Sequence, residues 1–284
     1  MAVYQYLIFV PGGNKTALVL GLDDFAEDAA HRKYVQDKIL ARHIDDPGGA
    51  VEQVGFLSRD PLAPALLMAG GEFCGNAMRS AAAYYLERGG QEVELSVSGA
   101  PKPLRAGRTP EGGIWAQMPI SADLSAAVTP LGQSGLFWVE LDGISHLVVP
   151  ETQAAPYLRD IFAAEDQEAK LRIALRFLDQ TIAAHALSID HAYGVVLLEA
   201  TATGRKMHPF VHVVTADTTY YETGCGSGAM CVALVEASLQ NKVVSVPLIQ
   251  PSGKLISAEV AFENGTLYGS IAGPVEREPE LFEI

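Results

Sequence analysis

The feature that most constrains this chain is that its pattern occurs twice. Cys74-Gly75-Asn76 opens a run of small and apolar residues, Ala77-Met78-Arg79-Ser80-Ala81-Ala82-Ala83. Cys225-Gly226-Ser227-Gly228 opens another, Ala229-Met230-Cys231-Val232-Ala233-Leu234. A short segment with Gly and Glu leads to each cysteine, Gly70-Gly71-Glu72-Phe73 in one half and Tyr221-Glu222-Thr223-Gly224 in the other. Strand-like residues and a turn follow each run, 92–98 with 99–102 and 243–249 with 250–254. Each half ends in a strand running into Pro, at 115–119 and 268–274, and the openings match loosely, 6–10 with 16–20 against 137–141 with 146–149. Self-similarity on this scale is evidence about architecture. It predicts two pseudo-symmetric domains, residues 1–130 and 131–273, with the tail 274–284 returning to the first. The boundary is expected in 122–133, where Ser, Ala, Pro and Gly interrupt the apolar pattern.

Local signals indicate α/β (α+β) content. Residues 24–43 read as a charged amphipathic helix stopped by Asp46-Pro47-Gly48-Gly49. Residues 165–185 carry Leu171, Leu175, Leu178 and Ile182 at helical spacing. Most of the remainder consists of short alternating strands. The two Cys-containing helices are rich in small residues and poor in charge, so each is expected to lie buried with strands wrapped around it.

A net charge of −14 makes nucleic acid or an anionic membrane surface a poor partner. The N-terminus has no positive n-region or cleavage site, and no apolar stretch approaches the roughly 18–20 residues that span a bilayer. Three cysteines do not form a disulfide framework, so the expectation is a reduced, cytoplasmic protein in which a specially placed thiol is a candidate for chemistry. No lysine lies in a pyridoxal motif and no Gly-rich dinucleotide fingerprint follows a strand, so no cofactor is called for. His208 and His212 are spaced i, i+4, but Pro209, Val211, Val213 and Val214 favour a strand, and no metal site is expected. Cys231, on another face of its helix, reads as core, and Asp23, Asp24 and Asp217 as solvated loop charges.

Cys74 and Cys225 each place a thiol where a loop turns into a helix. Glycine there admits a ligand close to the backbone, and the first-turn N–H groups have no intrahelical partner. With the positive end of the helix dipole these donors suit a carboxylate, and the same field is expected to lower a thiol's pKa. Two such helix starts would hold one carboxylate with a thiol on each side of the adjacent carbon. That is what inversion of a stereocentre through a carbanion requires: a base on one face, an acid on the other, and roles that exchange in reverse.

In their order and spacing, Cys74-Gly75-Asn76 and Cys225-Gly226-Ser227-Gly228 resemble the two signatures of the diaminopimelate epimerase family of cofactor-independent racemases. The resemblance covers most of the chain. It implies two similar domains, each a twisted, mostly antiparallel sheet around a central helix, with catalytic thiols at Cys74 and Cys225. It also implies carboxylate-holding backbone groups at Gly75, Asn76, Gly226 and Ser227, and a substrate-contacting Asn14 in Pro11-Gly12-Gly13-Asn14.

Two departures matter. Glu222-Thr223 stands where diaminopimelate epimerases carry Glu-Arg, and Met68-Ala69-Gly70-Gly71 lacks their Asn, so the bidentate clamp for a second carboxylate is missing. The histidine racemases of opine-type metallophore biosynthesis are a closer resemblance, through Glu52-Gln53-Val54-Gly55-Phe56, Glu72-Phe73-Cys74, His146 before Val148-Val149-Pro150, and Gln250-Pro251. That resemblance implies an amino-acid substrate, with histidine or another polar or cationic amino acid foremost. Glu52, Gln53 and His146 are then candidate substrate contacts, and Glu222, just ahead of the second cysteine, is a candidate either to orient the loop or to bind the substrate ammonium. Glu52 reads equally as a surface carboxylate, His146 as a satisfied strand-end histidine and Asn14 as turn chemistry. A diaminopimelate epimerase, a proline or hydroxyproline racemase-type isomerase, a dehydratase and a non-catalytic amino-acid-binding protein remain open, as does assembly into a homodimer.

Overall fold

In the computed structural model, residues 3–21, 23, 28–46, 49–121, 123–189, 192–214, 218–263 and 266–284 are described. They divide into two units, Met1–Pro119 with Ser270–Ile284, and Ile120–Gly269. Asp24, Pro47, Gly48, Ala122 and Asp217, which figured in the readings above, lie outside the described residues.

The first unit runs β1 (Gln5–Pro11), β2 (Lys15–Leu20), α1 (Ala29–Arg42), β3 (Val51–Leu57), β4 (Ala65–Met68), α2 (Gly75–Leu86), β5 (Glu92–Val97), β6 (Leu104–Arg108) and β7 (Ile114–Met118). Pairing is antiparallel for β1–β2, parallel for β2–β3, antiparallel for β3–β4, parallel for β4–β5, then antiparallel through β6 and β7. Side chains alternate across a strand, and here each face has its own core. Leu7, Phe9 and Leu18 pack with Ala77, Met78, Ala81 and Ala82 of α2. Tyr6, Ile8, Ala17 and Val19 pack with Val35 and Ile39 of α1 on the other face. Burial on both sides is why β1 and β2 read as nearly continuous apolar runs. The small side chains of α2 let the strands close around it, and ten of its residues are buried.

Of the helix expected over 24–43, residues 24–27 lie outside the described residues. Among the described residues it begins at Ala29, capped by Asp28, whose Oδ1 accepts from His31 N at 2.8 Å.

The second unit contains α3 (Leu124–Ala127), β8 (Val128–Pro130), β9 (Phe137–Leu141), β10 (Ile144–Val149), α4 (Glu151–Phe162), α5 (Gln167–His185), β11 (Ala192–Thr201), β12 (Gly204–Val213), β13 (Thr218–Tyr221), α6 (Gly226–Gln240), β14 (Val244–Ile249) and β15 (Leu255–Glu263). Pairing is antiparallel for β8–β9–β10, parallel for β10–β11, antiparallel for β11–β12 and β12–β13, parallel for β12–β14 and antiparallel for β14–β15. From β9 onward this repeats the order antiparallel, parallel, antiparallel, parallel, antiparallel of the first unit, with β13 as an addition. α6 is buried along most of its length. Leu147, Val149, Val195, Leu197 and Phe210 face α4 and α5. Periodicity missed α4 because Pro156 interrupts it.

β16 (Thr266–Gly273) carries the chain back to the first unit, where β17 (Val275–Arg277) and β18 (Phe282–Glu283) both pair antiparallel with β1. The Phe282 ring stacks on Tyr6 at 5.2 Å between centroids.

Candidate active site

Each repeated cysteine is the N-cap residue of its helix. Cys74, with extended φ and ψ, caps α2, and its Sγ accepts from Ala77 N at 3.4 Å. Cys225 caps α6 in the same way, its Sγ accepting from Gly228 N at 3.2 Å. A thiol thus stands where Ser or Asp usually caps. The first-turn amides of Gly75 and Asn76, and of Gly226 and Ser227, lie outside the intrahelical ladder, in the positive field of the helix start.

In the first unit, Asn14 meets Glu52, and Cys74, which leads into Gly75 and Asn76, meets Gln53. Cys74 is half-buried, and its thiol donates to Gln53 Oε1 at 2.9 Å. Asn14 is buried after the Gly12-Gly13 turn, whose glycines have φ of 71° and 102°. It donates from Nδ2 to Glu52 Oε2 at 2.7 Å and accepts from Thr16 Oγ1 at 3.3 Å. Glu52 and Gln53, adjacent on β3, bond to Asn14 and to Cys74 respectively, and the strand is irregular where they lie. The register shifts there: Lys15 pairs with Val51 but Thr16 pairs with Gln53, so Glu52 is the extra residue of a bulge. Gly75 has no room for a side chain, because a Cβ would lie 2.8 Å from Ile271 Cδ1 and from Met118 Sδ.

The second unit gathers His146, Glu222, Cys225, Gly226 and Ser227. His146, fully buried on β10, shares a hydrogen bond of 3.0 Å between its Nε2 and Ser227 Oγ. Burial lowers its pKa to about 4, so the ring is neutral at physiological pH. Gly194 lies opposite on β11, where a Cβ would approach His146 Nδ1 to 2.7 Å. Ser227 Oγ is also 3.4 Å from Cys225 Sγ.

The expectation that the helix dipole lowers both thiol pKa values fails at Cys225. Burial pushes this thiol well above its ordinary range, and the Glu222 carboxylate adds to the rise against the opposing bonds from Ser227 and Gly228. Desolvation of a thiolate outweighs the field of one helix start.

Gln250 was quoted in the sequence only as part of a resemblance. It is fully buried, and its Oε1 accepts from Cys225 N at 2.9 Å, while its Nε2 donates to Leu248 O at 3.2 Å. Its neighbour Ser252 donates from N to Thr223 O at 3.1 Å, tying the turn after β14 to the loop that presents Cys225. Arg79, inside the repeated run, is a second residue to which the sequence assigned no role. Cys231 is buried in the core of α6. His208 and His212 lie on strand β12 and bond to Tyr221 and Glu199, and to Thr219. Among the described residues, no helix is long and apolar enough to cross a membrane.

Solved structures of similar fold span the whole chain. A PhzF-family phenazine biosynthesis protein of Bacillus anthracis superposes with a TM-score of 0.62 at 12% identity, covering 100% of this chain and 99% of the other. A hydroxyproline epimerase of Agrobacterium vitis gives 0.56 at 13% identity, covering 99% and 92%. A methylitaconate-delta-isomerase gives 0.54 at 11% identity, covering 100% and 96%. The fold is diaminopimelate-epimerase-like, and the protein is an isomerase of the amino-acid racemase and epimerase class. The chain belongs to the family described as the histidine racemase CntK N-terminal domain, whose model matches residues 5–276. Histidine racemases from two strains of Fusobacterium nucleatum subsp. nucleatum are each 24% identical over 282 residues, covering 96% of this chain and 94% of theirs.

Proposed function

We propose that the protein racemises histidine by two-base proton transfer between Cys74 and Cys225, without a cofactor. The observation that carries this reading is the pair of Cys-capped helix starts, each with its thiol beside first-turn amides suited to a carboxylate. In the reading, Gly75, Asn76, Gly226 and Ser227 hold the substrate carboxylate and stabilise the charge that develops on it as Cα loses its proton. One cysteine thiolate takes the Cα proton, becoming a thiol. The other thiol delivers its proton to the opposite face, becoming a thiolate, and the reverse reaction exchanges the roles. The raised pKa of Cys225 suits it to be the acid of the resting protein, which leaves Cys74 as the base. Gln53, as a side-chain amide, serves either state of Cys74, accepting from the thiol or turning its NH2 toward the thiolate.

Histidine as substrate is supported by the named relatives and by the Glu52–Asn14 pair, which presents a carboxylate and an amide to a polar side chain. Thr223, in place of an arginine, argues against a dicarboxylic substrate. The test is proton NMR in deuterated buffer with fresh reductant, following the Cα signal across a panel of L-amino acids that includes histidine, proline and diaminopimelate. Loss of the histidine signal with formation of the D-enantiomer is expected. Exchange of a different amino acid would reassign the substrate, and no exchange across the panel by folded, reduced protein would leave an amino-acid-binding protein.

A further inference from the structure

Arg79 is the largest charged side chain in the interior, on α2 one and a half turns beyond Cys74, with no exposed surface. Its Nη2 donates to Asn76 Oδ1 at 2.8 Å, and its Nε and Nη1 have no hydrogen-bond partner among the described residues. A buried guanidinium with two open donors and no carboxylate is costly, and an apolar side chain would fill the same volume without that cost. Burial lowers its pKa to about 10, so it remains a cation at neutral pH, and the group whose charge opposes that lowering is Cys74.

Among the described residues, the charged groups on the strands packed against α2 bond to other partners or are exposed. Lys15 pairs with Asp46 and Glu278, Glu52 with Asn14, and Glu92 with Arg105. Arg108 donates to Leu86 O, Arg277 pairs with Glu87, and Glu94 and Glu276 are exposed. Gln53, which accepts from the thiol, is uncharged.

The repeat makes the placement informative. α2 and α6 both begin at a capping cysteine, and the position that holds Arg79 on α2 holds Met230 on α6. Met230 is fully buried as well. The two helix starts therefore share backbone and thiol but differ in charge: a buried cation on α2 whose charge acts on Cys74, and the Glu222 carboxylate acting on Cys225.

We infer that Arg79 is the buried counter-ion of the Cys74 thiolate, a positioning residue that makes the first thiol the resting base while Met230 leaves the second a thiol. The inference deepens the two-thiol reading and rests on Cys74 acting as a base. Through Asn76 the same guanidinium also holds the second residue of the helix whose amide is assigned to the substrate carboxylate.

The experiment titrates the thiol and does not need turnover. Full-length reduced protein is alkylated with iodoacetamide between pH 5.5 and 10, and modification of Cys74 is followed by peptide mass spectrometry. In the wild type, reactivity of Cys74 is expected to reach half its plateau below the ordinary thiol midpoint of about 8.5. Arg79→Met is expected to raise the Cys74 midpoint by about one unit or more, which for a wild-type midpoint between about 7 and 8.5 lowers the pH 7 alkylation rate by roughly five- to ten-fold per unit, and Arg79→Lys to retain the rate within about three-fold. A wild-type midpoint at or above the ordinary value would overturn the inference. So would an Arg79→Met profile that coincides with the wild type in protein of native circular dichroism. Should Arg79→Met not fold, Arg79→Gln, which keeps a donor for Asn76, decides in its place, and should neither fold, the wild-type midpoint decides alone. If Cys74 titrates low through Arg79 but no amino acid is racemised, the counter-ion stands and the racemase reading fails.

Discussion

The backbone amide of Cys225 donates to the side chain of Gln250 at 2.9 Å, joining the cap of α6 to the turn that follows β14. The bond is buried at both ends, so the residue that orients the thiol belongs to a different element from the thiol. Gln250→Leu keeps the volume but leaves the Cys225 N–H without its acceptor. We expect a loss of about 1–3 kcal/mol in urea denaturation and a lower racemisation rate. An unchanged denaturation midpoint would remove Gln250 from the support of this helix start.

Serine caps a helix at least as well as a thiol but is a far weaker acid and base near neutral pH. Cys74→Ser and Cys225→Ser should therefore keep the fold, with circular dichroism and melting close to wild type. Each should cut histidine racemisation by roughly 100-fold or more, the scale of a lost general acid or base. A variant that turns over at near wild-type rate would end the two-thiol mechanism.

Gly194→Ala tests how His146 is seated. The added methyl would lie 2.7 Å from His146 Nδ1 and equally close to the carbonyl oxygen of Phe210, which belongs to a paired strand. Overpacking of this kind costs about 1–3 kcal/mol. Because His146 bonds to Ser227, we expect kcat to fall along with stability. Loss of stability with kcat intact would show that the histidine serves the core alone.

The pH dependence of stability carries a sign. His146 has a folded pKa of about 4, below its ordinary 6.5, so between these values the unfolded chain binds a proton that the folded chain does not. The stability it contributes is present above about pH 6.5 and is lost as pH falls toward 4, on the order of 3 kcal/mol in all. Burial also lowers His208, which acts in the same direction, so the comparison must be with a His146 variant. His146→Gln should show a shallower fall in unfolding free energy between pH 6.5 and 4. Parallel curves for the two proteins would contradict the assignment.

Much of the architecture is written in local pattern. Short apolar runs mark β9 and β10, and the capped, small-residue runs mark α2 and α6, because composition and capping are properties of neighbouring residues. The repeated Cys-Gly starts were legible for the same reason, as was the strand character of His208 and His212. Residues 74 and 225 could thus be named as candidate thiols from the chain alone.

What tertiary structure decided is how the thiols differ. The bulge that makes Glu52 an extra residue of β3 depends on pairing with β2, and the bond from Cys225 to Gln250 depends on a turn 25 residues away in sequence. The rise in the Cys225 pKa comes from burial, which depends on every element packed around α6 and which no motif records. The same holds for Arg79 and Met230: side by side in the repeat they are two ordinary helix residues. Only the packing that removes Arg79 from water turns its charge into an influence on Cys74.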